Sequence, residues 1–424
     1  MDKIIDILKE YSEISDYKIV EETVESAEFF FVHDALETAR KTNTEQKTIT
    51  IYVDHKSYRG ESKFTYNDID SQDSLKEKIS NAIEMAKLLD NKKFSLPRDE
   101  QGKYINDTNF INKPLKEVAT NIYEVIKECE NKSRAKLNAK EIFVYKTITH
   151  LINSQNIDKT YTKYKSMIEV IPTFDTKKES VEIYTQLNIS TLNESELKKQ
   201  INEALKDVCA RARAKKPHET INCPVILRSQ EISEIMSNIA SDLNYSSLYL
   251  KANNFKKGDL IQSANQADLI DITMQGEVKG CASSQPFDLD GVSLKKKRIV
   301  KDGIVVGNFG QSKMAQYLRK PETGSLPILV LKKGSMKEKD MKSEAYLECA
   351  SFSGLQVDIQ NDYIGGEVRL AYYFDGKKRH PITGISISAK LSDVLNNIYL
   401  SSKVITSPRY KGPNLAKING FKIF

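Results

Sequence analysis

Tryptophan is absent from the 424 residues, and histidine and cysteine are scarce, with five of each. The scarcity of histidine sets the first limit. The five are His33, His55, His150, His218 and His380, and no two fall within one helical turn. A zinc peptidase helix needs two imidazoles about a turn apart, plus a carboxylate that activates water. No HExxH occurs. The nearest run, His218-Glu219-Thr220-Ile221-Asn222-Cys223, has Asn222 where the second His is required. Cys223 is a nominal ligand, but Pro217 and Pro224 flank the segment and oppose a helix there. The cysteines Cys129, Cys209, Cys223, Cys281 and Cys349 include no CxxC pair. That excludes a zinc ribbon or thioredoxin-type site and fits reduced, buried thiols in a cytoplasmic protein. A GxSxG elbow and a GxxxxGK[ST] loop are also missing, so neither a serine-hydrolase nucleophile nor a phosphate loop is indicated. No run of about 18 apolar residues exists, which excludes a membrane-spanning helix. In Met1–Glu10 acidic residues interrupt the apolar ones, unlike a signal peptide.

The charge is nearly balanced. Lys and Arg number 64 against 58 Asp and Glu, a net +6 that is too small and too dispersed for a dedicated duplex-DNA binder. The densest basic run, Lys295-Lys296-Lys297-Arg298, lies in an expected strand over 292–300. A solvated strand face or a Lys-protected edge accounts for it without nucleic acid.

Hydrophobic periodicity supplies the organisation. Ile4, Ile5, Leu8 and Tyr11 share one face of a helix. Strands are expected at 28–32 and at 48–54, where Ile49, Ile51 and Val53 alternate with polar residues. Ser74-Leu75-Lys76-Glu77 has the form of a capping box for a helix carrying Leu75, Ile79, Ile83 and Ala86. A second unit repeats the mixture. It has a helix near 115–130, strands at 141–152, 161–171 and 180–190, and a helix capped by Asn193 and Glu196. After the basic linker 211–217 comes the short strand Pro224–Leu227, a helix with Ile232, Ile235, Met236 and Ile239, and then mostly strands and Gly turns. Asp302-Gly303 and Asp375-Gly376 mark hairpins. The fold class expected is α+β. N-terminal antiparallel sheet units with packed helices, 1–110 and 111–215, precede a strand-rich C-terminal domain over 220–424.

One stretch is more informative than composition. Gly280-Cys281-Ala282-Ser283-Ser284-Gln285-Pro286-Phe287-Asp288-Leu289-Asp290-Gly291-Val292, followed by Arg298-Ile299-Val300-Lys301-Asp302-Gly303-Ile304-Val305, resembles the TldD/PmbA peptidase family. There a Pro-Phe-Asp turn, an acidic-Gly turn and an Asn/Asp-Gly hairpin come in that order, and Asp290 replaces the usual Glu. Pro224–Leu227 before a helix, Asn153-Ser154-Gln155-Asn156 between two strands, and His380–Ile387 before the closing helix extend the resemblance over most of the chain. TldD-like members carry HExxxH on a helix behind the Pro-Val strand. PmbA-like members, also called TldE, lack those ligands. The stretch compared with that helix, Ser246 to Asp259, has neither His nor Glu, so the resemblance is to the PmbA side.

The resemblance implies a non-catalytic subunit of a zinc metallopeptidase complex that degrades or matures small or unfolded peptides. No zinc is expected in this chain. The metal would sit in a homologous TldD-type partner, and self-association as a homodimer is the other pairing. A stand-alone regulator, such as a modulator of DNA gyrase, and a peptidase with unfamiliar ligands are the alternatives. Pro286, Phe287, Asp288, Asp290 and Gly291 are expected to be structural, with Phe287 buried and both Asp side chains accepting local backbone N–H bonds. The sequence assigns no peptide-binding residue.

Overall fold

A computed structural model describes residues 1–263 and 267–424. The N-terminal half is built on one sheet. Helix α1 (Asp2–Lys9) leads into β1 (Asp16–Val32), β2 (Ala35–His55) and β3 (Tyr58–Tyr66). Then come α2 (Gln72–Lys87), β4 (Asn91–Lys92), β5 (Gln101–Ile105) and α3 (Leu115–Asn131). β6 (Lys136–Asn153), β7 (Asp158–Asp175), β8 (Ser180–Glu182), β9 (Thr185–Ile189) and α4 (Glu194–Arg211) complete this half. The strand order is β4-β3-β2-β1-β6-β7-β5, with β8 and β9 also on β7. β1 pairs with β6 from Lys18↔Asn153 to Val32↔Ala139, so 1–110 and 111–215 share a single sheet. β5 runs parallel to β7, a departure from the antiparallel expectation.

Side-chain alternation gives this sheet two different faces. One is apolar. Ile19, Ile49, Ile51 and Val53 pack against Leu75, Ile79 and Ile83 of α2 and Ile4, Ile7 and Leu8 of α1. Ile142, Val144, Ile168 and Val170 pack against Ile122 and Ile126 of α3 and Leu197, Ile201 and Leu205 of α4. Each such buried side chain contributes roughly 1.5–3 kcal/mol. The opposite face carries Lys18, Thr50, Thr147, Tyr161 and Lys163.

Three local expectations need correction. Helix α2 starts at Gln72, and its cap is Ser71, whose Oγ accepts the Ser74 N–H at 3.1 Å. Ser74 therefore lies inside the first turn, and the Ser74-x-x-Glu77 pattern sits about one turn downstream of the real cap. The expected strand 180–190 is split into β8 and β9. Pro172 on β7 accepts the Ile183 N–H at 3.0 Å but has no N–H to return, so the ladder breaks there. The strand expected over 292–300 begins only at Lys296, since Val292 and Leu294 are tied back into the preceding turn. Asn193 does cap α4, accepting the Glu196 N–H at 3.2 Å.

The C-terminal half opens with β10 (Val225–Arg228), α5 (Ser229–Asp242), α6 (Tyr245–Tyr249), β11 (Ile272–Gln275), β12 (Lys296–Lys301) and β13 (Ile304–Val305). It continues with α7 (Ser312–Tyr317), β14 (Ile328–Leu331), α8 (Glu338–Met341), β15 (Tyr346–Asp358), β16 (Tyr363–Phe374), β17 (Arg379–Ile382) and β18 (Ile385–Lys390). It ends with α9 (Leu391–Asn396), β19 (Ile398–Leu400), β20 (Val404–Ser407), β21 (Tyr410–Pro413), β22 (Leu415–Ile418) and β23 (Lys422–Ile423). One sheet has the order β19-β22-β10-β15-β16-β18-β23, with β17 on β16. A second has the order β13-β12-β11-β14-β21-β20. Helix α5 touches strands of both sheets, and Ile232, Ile235, Met236 and Ile239 on its inner stripe are fully buried. Asp302 and Gly303 both adopt positive φ, as a two-residue Asp-Gly hairpin requires. The α+β reading thus holds in both halves.

Candidate functional site

The polar face of the N-terminal sheet meets the C-terminal half at the turn Pro286–Gly291. Phe287 is 5% exposed and sits among Leu151, Ile157 and Tyr161, with the Tyr104 ring centroid 5.8 Å away. Asp288 lies beneath it. Its carboxylate accepts N–H bonds from Asp290 (3.0 Å), Val292 (3.1 Å) and Ser325 (2.9 Å), while burial pushes its pKa up. Gly291 has φ +92, and a Cβ there would meet Ile157 Cγ2 and Leu151 Cδ2 at 3.2 Å. Glycine suits both the backbone conformation and the close approach. Asp290 departs from the expectation. Its carboxylate reaches out of the turn to Lys18 Nζ at 2.8 Å rather than to a local N–H. Pro286 accepts the Leu294 N–H at 2.7 Å and so closes the loop.

The sheet grips this turn from the other side. Lys159 is fully buried and donates to the Gly291 carbonyl at 2.7 Å, to Ser293 Oγ at 2.9 Å, and to Glu100. Lys159 and Ser293 together hold the Glu100 carboxyl below its usual range. The Tyr161 hydroxyl donates to the Ser284 carbonyl at 2.8 Å.

A cavity opens on either side of the turn. The one towards β1–β3, about 560 Å³, is lined by Lys18, Thr50, Tyr52, Glu61, Phe94, Asp290 and Lys313. Its half-buried lysines are matched, since Lys18 pairs with Asp290 and Lys313 with Glu61 at 2.6 Å, and the exposed Lys63 at its rim has no ion-pair partner among the described residues. The one towards β7, about 580 Å³, is lined by Lys163, Lys165, Asn188, Ser283, Gln285, Ser407 and Arg409. Burial and the nearby positive charges of Lys165 and Arg409 push the Lys163 ammonium down to about 8.

Sequence reading missed Lys159, Lys163, Lys165 and Arg409. The alternation of the three lysines along β7 marks a polar face, but nothing local shows that Arg409 meets it.

The metal-binding test falls on α5, which is the helix directly behind the Pro224–Val225 strand. The stretch from Ser246 to Asp259 lies further on, mostly in α6 and a loop, which corrects the comparison made from sequence. The outward stripe of α5 is Glu234, Ser237 and Ser241, with Glu231 buried and no histidine on the helix. Desolvation raises Glu231 to about 7. Cys223 is also raised by burial, to about 11, which makes its thiolate scarce near neutral pH. Among the described residues no three His, Cys, Asp or Glu side chains stand together as a metal site. The donors on and around α5 therefore do not fit zinc. Among the described residues no helix is long and apolar enough to cross a membrane. The basic run at 295–298 is largely exposed, and Arg298 pairs with Asp271 at 3.2 Å.

Residues 220–423 match the model of the PmbA/TldA metallopeptidase C-terminal domain. This C-terminal stretch, just under half of the chain, is of the PmbA/TldD family. A curated relative, the metalloprotease PmbA homolog of Buchnera aphidicola subsp. Acyrthosiphon pisum (strain APS), is 28% identical over 186 residues. That alignment covers 42% of this chain and 41% of the relative, so the matched stretch spans about two-fifths of that protein's length. The fold extends further than the sequence match. TldE from Thermococcus kodakarensis superposes with a TM-score of 0.82 at 14% identity, covering 100% of this chain and 99% of that one. A protein termed a modulator of DNA gyrase, from Bacteroides thetaiotaomicron VPI-5482, gives 0.80 at 13% identity, covering 100% and 97%.

Proposed function

We propose that this chain is the non-catalytic subunit of a two-part zinc metallopeptidase of the PmbA/TldD family, acting on small or unfolded peptides in the cytoplasm. The observation that carries the proposal is α5. Its buried stripe is intact and it follows the Pro-Val strand, yet its outward stripe holds Glu234, Ser237 and Ser241 instead of paired histidines. The resemblance of the whole fold to a TldE points the same way. The homologous partner supplies the metal and the activated water. This chain supplies walls and peptide contacts, and a second copy of itself is the alternative partner. One feature suited to peptide is the outer edge of β2. β3 pairs only with Lys47–His55, so Ala35–Gln46 pairs with β1 on one side alone among the described residues. Such an edge takes up an extended segment by strand addition. Five free cysteines suit a reducing compartment.

In this assembly Pro286, Phe287, Asp288, Asp290 and Gly291 are structural and fix the C-terminal half against the sheet. The test is co-expression with an HExxxH-bearing homologue from the same cell, followed by metal analysis and a peptide-cleavage assay. The expected result is a complex burying on the order of 2,000 Å² or more, with about one zinc per pair and cleavage only by the pair. Stoichiometric zinc on this chain alone, or peptide cleavage without a partner, overturns the proposal.

A further inference from the structure

The cavity at the β7 end holds charge that the fold leaves unanswered. Lys163 and Lys165 are two residues apart on β7 and so project from the same face. Arg409, in the turn between β20 and β21, approaches from the C-terminal half. Among the described residues none of the three is ion-paired, and the charges nearest Lys163 are the other two. Lys165 is otherwise engaged only with the Tyr145 ring, 5.2 Å from its centroid. Elsewhere on this sheet face Lys18 and Lys159 each hold a carboxylate. Three like charges facing a half-enclosed space repel one another, and an anion between them reverses the sign of that interaction.

The rest of the lining suits the same ligand. The Ser283 and Ser407 hydroxyls and the Asn188 amide are neutral groups able to donate hydrogen bonds. The volume, about 580 Å³, is far larger than a bare ion, and falls in the range of small-molecule sites.

We propose that this cavity is a binding site for an oxyanion, a carboxylate or phosphate group carried by a small ligand, held by Lys163, Lys165 and Arg409. Arg409 presents the planar fork that grips two oxygens at once, while the lysines act as point charges. The lowered Lys163 pKa follows from the same arrangement, and a bound anion returns it upward. The site spans both halves of the chain, so occupancy also tightens the joint between them. The proposal stands apart from the subunit assignment, because it requires no partner, no zinc and no cleavage.

The test uses the full chain in low-salt buffer at pH 7, by calorimetry and thermal melting. Three probes are compared: inorganic phosphate, an N-acetylated dipeptide with a free carboxylate, and the same dipeptide as its amide. Phosphate or the free acid is expected to bind and to raise the melting temperature, with the amide inert and added salt weakening the effect. Lys163→Met and Arg409→Gln are each expected to weaken binding about tenfold or more, the loss of one charge-assisted hydrogen bond. The two substitutions lie on different halves of the chain, so local misfolding of one variant leaves the other to decide. Binding of the acid alone assigns the site to a carboxylate such as a peptide end. Binding of phosphate alone assigns it to phosphorylated ligands. No binding of either, equal binding of the amide, or affinity unchanged in both variants overturns the site.

Discussion

The two cavities flanking the Pro286–Gly291 turn share one wall, the polar face of the N-terminal sheet, and differ in charge. Towards β1–β3, Lys18 and Lys313 each meet a carboxylate from the opposite half, Lys18 with Asp290 and Lys313 with Glu61, while the exposed Lys63 has no such partner among the described residues. Towards β7, Lys163, Lys165 and Arg409 face one another without an acid. Both cavities are close to 570 Å³, so size does not distinguish them. The difference teaches that matched charge fastens the two halves, whereas unmatched charge is stability withheld from the fold and left for a ligand.

The largest test removes the wedge between the cavities. Phe287→Ala is expected to cost about 3–5 kcal/mol, as for a buried aromatic ring, measured by denaturant unfolding. A loss below about 1 kcal/mol means the turn is not what holds the halves together.

Lys163→Met probes the unmatched side and should stabilise the chain. The Lys163 pKa falls from 10.5 to about 8 in the folded protein. Between those values the unfolded chain binds more protons, so stability rises with pH across that window. At about 1.4 kcal/mol per pH unit, charging Lys163 costs at most about 3 kcal/mol at pH 7. The variant is therefore expected to gain about 1–3 kcal/mol at pH 7, a gain that shrinks towards pH 10.5. Melting curves of both proteins at pH 7, 8.5 and 10 read this difference, and a destabilised variant at pH 7 contradicts it.

On the shared wall, Lys159→Met leaves the Gly291 carbonyl without its side-chain donor and Glu100 with Ser293 alone. A loss of about 2 kcal/mol is expected, and full stability would place the grip elsewhere. The smallest effect belongs to the matched side. Lys18→Met removes a pair whose Asp290 side chain is 36% exposed, so a loss below about 1 kcal/mol is expected, declining with salt. A gain like that of Lys163→Met would erase the contrast between the cavities.

The legible parts of this fold are those that bury one face. The Ile49, Ile51, Val53 alternation marks the centre of β2, but residues 35–46 of the same strand are mostly exposed and carry no period to read. The hydrophobic stripe of α2 was visible while its cap was misplaced by a turn, because Ser71 and Ser74 both precede Leu75. Phe287 stands out among turn formers, yet its partners Leu151, Ile157 and Tyr161 lie more than a hundred residues away and send no local signal. The cationic cavity is hidden for the same reason. Lys163 and Lys165 look like solvated strand residues until Arg409 is placed over them.

Helix α5 keeps two jobs on separate sides. Ile232, Ile235, Met236 and Ile239 clamp it between two sheets, while Glu234, Ser237 and Ser241 look outward. Substitutions at these exposed positions are expected to change stability by only about ±0.5 kcal/mol. Chemistry on that stripe can therefore be written or erased without disturbing the architecture.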